Sequence, residues 1–331
     1  MAHLDIFNDD AFSVATLTAA INQQDYQPGR IGALGLFSEE GVTTTTVTIE
    51  YNKGKISLVA VGERGKPVKP ADRDARNLRS FVVPHLKTGD SLLADTIQNL
   101  RAFGSESELE SVQNVVNQRF AKFGRDLETT LEFHRIGAVK GLILDADGTS
   151  VIYDLYEEFG ITQETVSLVL ATATTNIRGK IMEAKRKSEA ALGAAMVTGY
   201  RAFCGASFFD DFVGHAKVEK AWERYNEGEM LRNDARGGFA FGGVMWEEYR
   251  GQIGTQAFIG ANDAYLVPEG VPDLFITRNA PADYMETVNT LGLPLYAKQE
   301  PLPMNRGIQM EAQKNPLNLC TQPGAIIKLS K

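Results

Sequence analysis

The stretch 106–135 constrains the fold more than any other part of this 331-residue chain. Apolar residues recur there at Leu109, Val112, Val115, Val116, Phe120, Phe123, Leu127 and Leu131, with His134 continuing the row, mostly in steps of three and four. That spacing puts them on one face of an α-helix. Ser105 and Glu108 stand at capping-box spacing at its start. Unbroken, the helix would run ~45 Å at about 1.5 Å per residue, roughly twice the usual length. Gly124 is a point at which it could bend. A helix this long with a single apolar stripe cannot be wrapped on all sides by a chain of this size. It is expected to lie along a sheet and leave one face for solvent or a neighbouring molecule.

The chain as a whole is ordinary in composition, 43% hydrophobic and 23% charged, which excludes disorder throughout. Its 42 acidic and 34 basic residues give a net charge of −8, which argues against a general nucleic-acid clamp. No apolar run approaches the ~20 residues of a membrane helix, and the opening MAHLDIFNDDAF is acidic where a secretory signal is basic. A soluble protein made in the cytoplasm is expected, without a membrane partner. Cys204 and Cys320 stand far apart and read as reduced, buried thiols. His3, His85, His134 and His215 show no metal-ligand spacing, so no structural zinc is expected.

Charge is distributed unevenly. Residues 1–50 carry seven acids and one base, residues 51–87 nine bases and three acids, and residues 88–160 thirteen acids and six bases. The basic segment begins with alternating strand pattern and breaks around Gly62, Gly65, Pro67 and Pro70, which reads as a projecting hairpin. It is either a solvated charged hairpin or a docking arm for an acidic surface, including one on another copy of the chain. A nucleic-acid loop is disfavoured because no aromatic residues interleave with the charges.

Elsewhere the pattern mixes helices and strands without regular βαβ alternation, an α+β chain. The first 30 residues, with an amphipathic piece at 11–21, look like an arm too polar to form a core. VTTTTVTIE at 42–50 is a half-buried strand, and a strand pair is expected across Asn52 to Gly54. GRIGALG near Gly29 lacks a G-K-[ST] ending and is expected to be a flexible hinge rather than a phosphate cradle. Strands flank Asp145–Thr149, a capping signal at Thr162 predicts a helical region, and helices are expected at 175–195 and 215–225. Short strands follow around 237–247 and 257–259. Phe239, Phe241 and Trp246 read as packing residues.

LILDADGTS, with Asp145 and Asp147 before Gly148 and Thr149, resembles the first motif of haloacid dehalogenase-type phosphatases. That resemblance implies Asp145 as nucleophile toward phosphorus, Asp147 as acid and base, and a magnesium ion between carboxylates. The rest of such a site is missing. Asp210 and Asp211 lack the expected preceding glycine, and no lysine is clearly placed. The simpler reading is a D-G turn joining two strands.

Taken in order, several stretches together resemble the lambda-type major capsid proteins of tailed bacteriophages, the capsid protein E family. They are VTTTTVTIEYNKGKISLV with the basic loop, the long helix running into LEFHRIGAVKGLILDADGTSVIYDLYEEFGI, FAFGGVMWEEYRG, LVPEGVPDLFITRNAPADYMETVNTLGLPLYAK, and EPLPMNRGIQMEAQKNPLNLC. They cover most of residues 31–331. The resemblance implies the Hong Kong-type capsid fold. Residues 1–37 would be an N-terminal arm and 38–88 an extended loop. A peripheral domain would occupy 89–159 with a spine helix at 105–135, an axial domain 160–292, and the chain would return to the core at 293–331. It further implies no enzyme activity and no required cofactor, and self-assembly through hexamers and pentamers into an icosahedral shell around double-stranded DNA, with scaffold, portal and decoration proteins as further partners. The candidate inter-subunit residues are Arg64, Lys66, Lys69, Arg73 and Arg76, set against a neighbour's acidic surface. The phosphatase, and the same fold used as a cellular cargo compartment, are the competing functions.

Overall fold

The computed structural model describes residues 17–18, 29–51, 77–93, 108–193, 195–225, 237–254 and 256–331. The chain forms two compact units. One comprises residues 1–47, 80–133 and 276–318, the other residues 48–79, 134–275 and 319–331.

In the first unit, an antiparallel sheet has Gly307–Lys314 between Tyr296–Pro301 and Leu86–Leu93. Strand alternation sends Ile308, Met310 and Ala312 to one face, joined by Ala297 and Leu92. That face packs against Val116, Phe120, Phe123 and Leu127, the helical stripe read from the sequence, and against Leu17. Phe120 and Phe123 meet edge to face with centroids 5.9 Å apart. Lys314 reaches the carboxylate of Glu128, tying the central strand to the helix. Leu17 and Thr18 belong to the same unit. The Thr18 hydroxyl lies 3.2 Å from Ala297 N, so that it accepts an amide hydrogen from the edge strand.

The long helix runs unbroken from Glu108 to Lys140, 33 residues, straight through Gly124. Ser105 lies outside the described residues. Between Val115 and Thr130 the burial pattern is that of one stripe, but residues 131–139 are all buried, including Glu132, His134 and Arg135. The expected open face therefore ends at Thr130. Gly137, Ala138 and Val139 are small enough for the chain to close around them.

GRIGALG forms the short helix Arg30–Leu34 rather than a hinge. The cause is Glu132, whose two carboxylate oxygens accept the amides of Ile31 at 2.7 Å and Gly32 at 3.2 Å. These are the N-terminal donors that a helix leaves unsatisfied. A Cβ at Gly29 would sit 2.2 Å from Glu132 Cδ, so the carboxylate and the glycine fit each other.

The second unit is built on a six-stranded mixed sheet in the order Thr165–Ser167, Ile327–Ser330, Asp263–Glu269, Gly199–Cys204, Val244–Glu248, Phe239–Phe241. The helical region expected after Thr162 is instead the strand Thr165–Ser167, parallel to Ile327–Ser330. Burial of Val166 and Leu168 between exposed Thr165 and Ser167 has period two, and that tertiary pairing overrides the local capping signal. The helix Ile177–Leu192 starts at Asn176, whose side chain accepts Gly179 N. Ala206–Val213, not expected from sequence, precedes Ala216–Tyr225. It buries Phe208, Phe209 and Phe212, and the Phe212 ring stacks on Trp246 at 3.9 Å. Trp246 is fully buried and donates Nε1–H to Phe241 O at 3.0 Å, so the Phe239–Phe241–Trp246 group is core packing. Gly242 and Gly243, both at positive φ, close the hairpin between them, with Lys185 Nζ bonded to both carbonyls at 3.0 and 2.8 Å. Cys204 and Cys320 are free and buried, and burial holds both thiols protonated, that of Cys320 pushed up to about 12.

A third sheet places Phe275–Asn279 between Phe37–Gly41 and Pro316–Cys320. The Thr277 hydroxyl donates to Asn318 Oδ1 at 2.7 Å across it.

Candidate assembly surface

Arg64, Lys66, Lys69, Arg73 and Arg76 lie outside the described residues, as does the strand pair expected across Asn52 to Gly54. The flanks of the basic segment are described. Thr46–Tyr51 pairs with Asn77–Val82, and Val83 N bonds Thr45 O at 2.9 Å, so the segment joins two adjacent strands. Leu78 and Val82 point to water at 68% and 63% exposure, while Phe81 between them is buried. Arg79 lies 3.8 Å from Glu158, with its guanidinium 5.8 Å above the Phe159 ring.

Acidic residues gather where the phosphatase motif suggested chemistry. Between Gly141 and Ile177 the sequence holds six carboxylates and no lysine or arginine. Asp145–Thr149 is the turn of an antiparallel hairpin between Leu142–Leu144 and Val151–Asp154, as the D-G reading expects. Gly148 sits at φ +69° and its amide bonds Asp145 O at 2.9 Å. Asp147 accepts the amides of Thr149 and Ser150 and the Ser150 hydroxyl at 2.6–2.9 Å. Those donors, the hydroxyl foremost, hold its carboxyl well below the usual range. A carboxylate so occupied is a turn stabiliser, and a poor acid and base for phosphoryl transfer. The second strand ends at Asp154, which caps the helix Leu155–Phe159 through the amides of Tyr156 and Glu157. Among the described residues no three His, Cys, Asp or Glu side chains have metal-site geometry.

Two polar constructions escaped the sequence reading. On the outer face of the first unit's sheet, a groove of about 310 Å³ is lined by Lys87, Tyr284, Lys298, Glu300, Glu311 and Gln313. Its charges satisfy one another. Lys87 bonds Glu311 at 2.7 Å, and Lys298 bonds Glu286 at 3.1 Å. Burial would raise the Glu311 carboxyl pKa, but hydrogen bonds from Lys87 and Gln313 pull it below its ordinary value. In the second unit, Arg201 binds Glu247 at 2.8 Å and Glu269 at 2.6 Å. Strand alternation could have flagged Glu311 and Gln313 as an outward face. Nothing local identifies Arg201, because its partners are 46 and 68 residues away.

These features describe a scaffold with locked polar groups, in which a basic stretch of sequence links two paired strands, and known proteins give it a context. The sequence matches the family described as phage major capsid protein E over residues 13–331. The chain belongs to that family. It is 30% identical over 317 residues to the major capsid protein of Pseudomonas phage KPP10, covering 89% of this chain and 90% of that one. Identity to the major capsid protein of Salmonella phage Felix O1 is 26%, covering 96% and 95%. A crystal structure assigned as the capsid protein of an Escherichia coli CFT073 prophage superposes with TM-score 0.60 at 10% identity, covering 96% of this chain and 98% of that one. The capsid of cyanophage P-SCSP1u gives 0.51 at 8% identity, covering 89% and 86%. The fold is thus the Hong Kong-type capsid fold, an α+β architecture, and the chain is a major capsid protein, a structural component of a tailed-phage virion. The phosphatase alternative has no support. No described helix is long and apolar enough to cross a membrane.

Proposed function

We propose that this capsid protein assembles through hexamers and pentamers into an icosahedral shell that encloses double-stranded DNA without reading its sequence. It acts without catalysis, is made in the host bacterial cytoplasm, and works beside scaffold, portal and decoration proteins. The domain roles in this reading are an arm at 1–37, an extended loop at 38–88, a peripheral domain at 89–159 with its spine helix, an axial domain at 160–292 and a return at 293–331. One observation carries it: a family match along nearly the whole chain, in which a net +6 segment joins two paired strands and the flanking segments are acidic.

In this reading Arg64, Lys66, Lys69, Arg73 and Arg76 dock onto a neighbour's acidic surface. Opposite charge sets register and orientation more than raw affinity, and many such contacts add over a shell. Head-to-tail contacts of this kind close into rings. Negative-stain electron microscopy of the purified protein at low and moderate salt tests it. Rings, tubes or shells that weaken as salt rises are expected. Reversing several of the five charges should abolish particles while the subunit stays folded; normal particles from that variant would refute charge docking.

A further inference from the structure

Four large apolar side chains stand in water within nine residues of the first unit: Met285 at 89% exposure, Val288 at 59%, Leu291 at 62% and Leu293 at 43%. Exposed apolar groups concentrated this way mark an interaction surface more often than a bare surface. The loop that carries them is braced from within. The Thr287 hydroxyl lies 2.7 Å from Ala282 O, and the Thr290 hydroxyl donates to Thr287 O at 2.8 Å. Gly292 N bonds Val42 O at 2.9 Å, and Leu293 N bonds the Tyr296 hydroxyl at 2.8 Å. A Cβ at Gly292 would fall 1.9 Å from Asn279 O, so the backbone is pressed against its neighbour there. A loop held this way cannot fold its apolar side chains inward. It presents them in a fixed arrangement, which lowers the ordering cost of a contact.

Its charge says what it meets. Residues 287–297 include no charged side chain, and the carboxylate of Glu286 is bound by Lys298 at 3.1 Å. Where copies of one chain meet around a rotation axis, a surface element can face itself. A charged element then repels its own copies, whereas a neutral apolar one is self-complementary. We propose that the 284–293 loop is a contact at which copies of this capsid protein meet like with like, the same apolar residues of each copy packing together. The proposal rests on the assembly reading above.

The test uses Val288→Asp and Val288→Lys in the full chain, compared with wild-type particles in the same buffer. Val288 is exposed, so both subunits should keep the wild-type circular dichroism and unfolding midpoint. Each variant alone should lose at least tenfold in particle yield at low salt, and an equimolar mixture should recover most of it. If each variant alone assembles like wild type, or if the mixture fails as the single variants do, like-with-like contact is wrong. A second variant, Leu291→Cys, asks the same question without adding charge. Mild oxidation of its particles should give a dimer-sized band on a denaturing gel, since native Cys204 and Cys320 are buried. Particles without that band overturn the proposal, as would a band appearing only when a different protein is added. Failure of the wild type itself to form particles would sink the assembly reading first, and this proposal with it.

Discussion

The two parts of the long helix are made from the same kind of sequence and do different work. From Val115 to Thr130 one stripe is buried and the remaining positions face water or lie half-buried, the arrangement of a helix laid on a sheet. From Leu131 to Val139 every residue is buried, and three of them, Glu132, His134 and Arg135, are polar. In the first part apolar contacts hold the element. In the second a buried carboxylate organises a second piece of chain, the Arg30–Leu34 helix, by supplying the anion that its N-terminal amides require. A helix read only for its stripe is therefore understood only as far as Thr130.

The contrast can be broken most forcefully at Ile136, fully buried in the enclosed part. Ile136→Ala should destabilise the subunit by about 2–5 kcal/mol, measured by urea unfolding. A loss under about 1 kcal/mol would mean that the enclosure is loose. The next largest effect is pH dependence. Burial holds the His134 pKa down to about 4, partly opposed by the charge of Asp145. The unfolded chain binds a proton below about 6.5 and the folded chain does not until about 4, so the stability this neutral histidine preserves is complete above pH 6.5 and falls as pH drops toward 4. The full loss is of order 3 kcal/mol. His134→Phe should flatten that slope between pH 7 and 4.5, and an unchanged slope would assign it to other groups. Glu132→Gln keeps the shape but removes the charge and turns one acceptor into a donor facing an amide. It should cost about 1–3 kcal/mol, with the loss visible as faster amide exchange at Ile31 and Gly32.

The sequence made the open part legible because its stripe obeys one local rule, period 3.6 against water. The D-G turn and the Ile177–Leu192 helix were legible for the same reason: Asp147 and Asn176 act on amides two or three residues away. What stayed hidden depends on partners remote in sequence. Glu132 lies about a hundred residues from the amides it caps, and without that knowledge GRIGALG reads as a hinge. Val166 becomes part of a strand only because Ile327–Ser330 lies beside it. The exposed loop at 284–293 lies within a stretch that carries the family resemblance, yet no periodicity says which of its apolar residues face water. The five candidate basic residues rest on charge arithmetic alone.

The smallest effect is the sharpest control. Asp126 sits on the open part of the helix, exposed, one turn before Thr130, whose hydroxyl bonds the Asp126 carbonyl rather than its carboxylate. Asp126→Asn should thus shift subunit stability by no more than about 0.5 kcal/mol, the usual range for a surface site away from special features. Particle yield need not follow stability. If the open face is free in the shell, yield is unchanged; if a neighbour's cations sit there, yield falls at low salt while the isolated subunit unfolds as before. A substantial loss of subunit stability would instead mean that this part of the helix is enclosed too, and the contrast between its two parts would disappear.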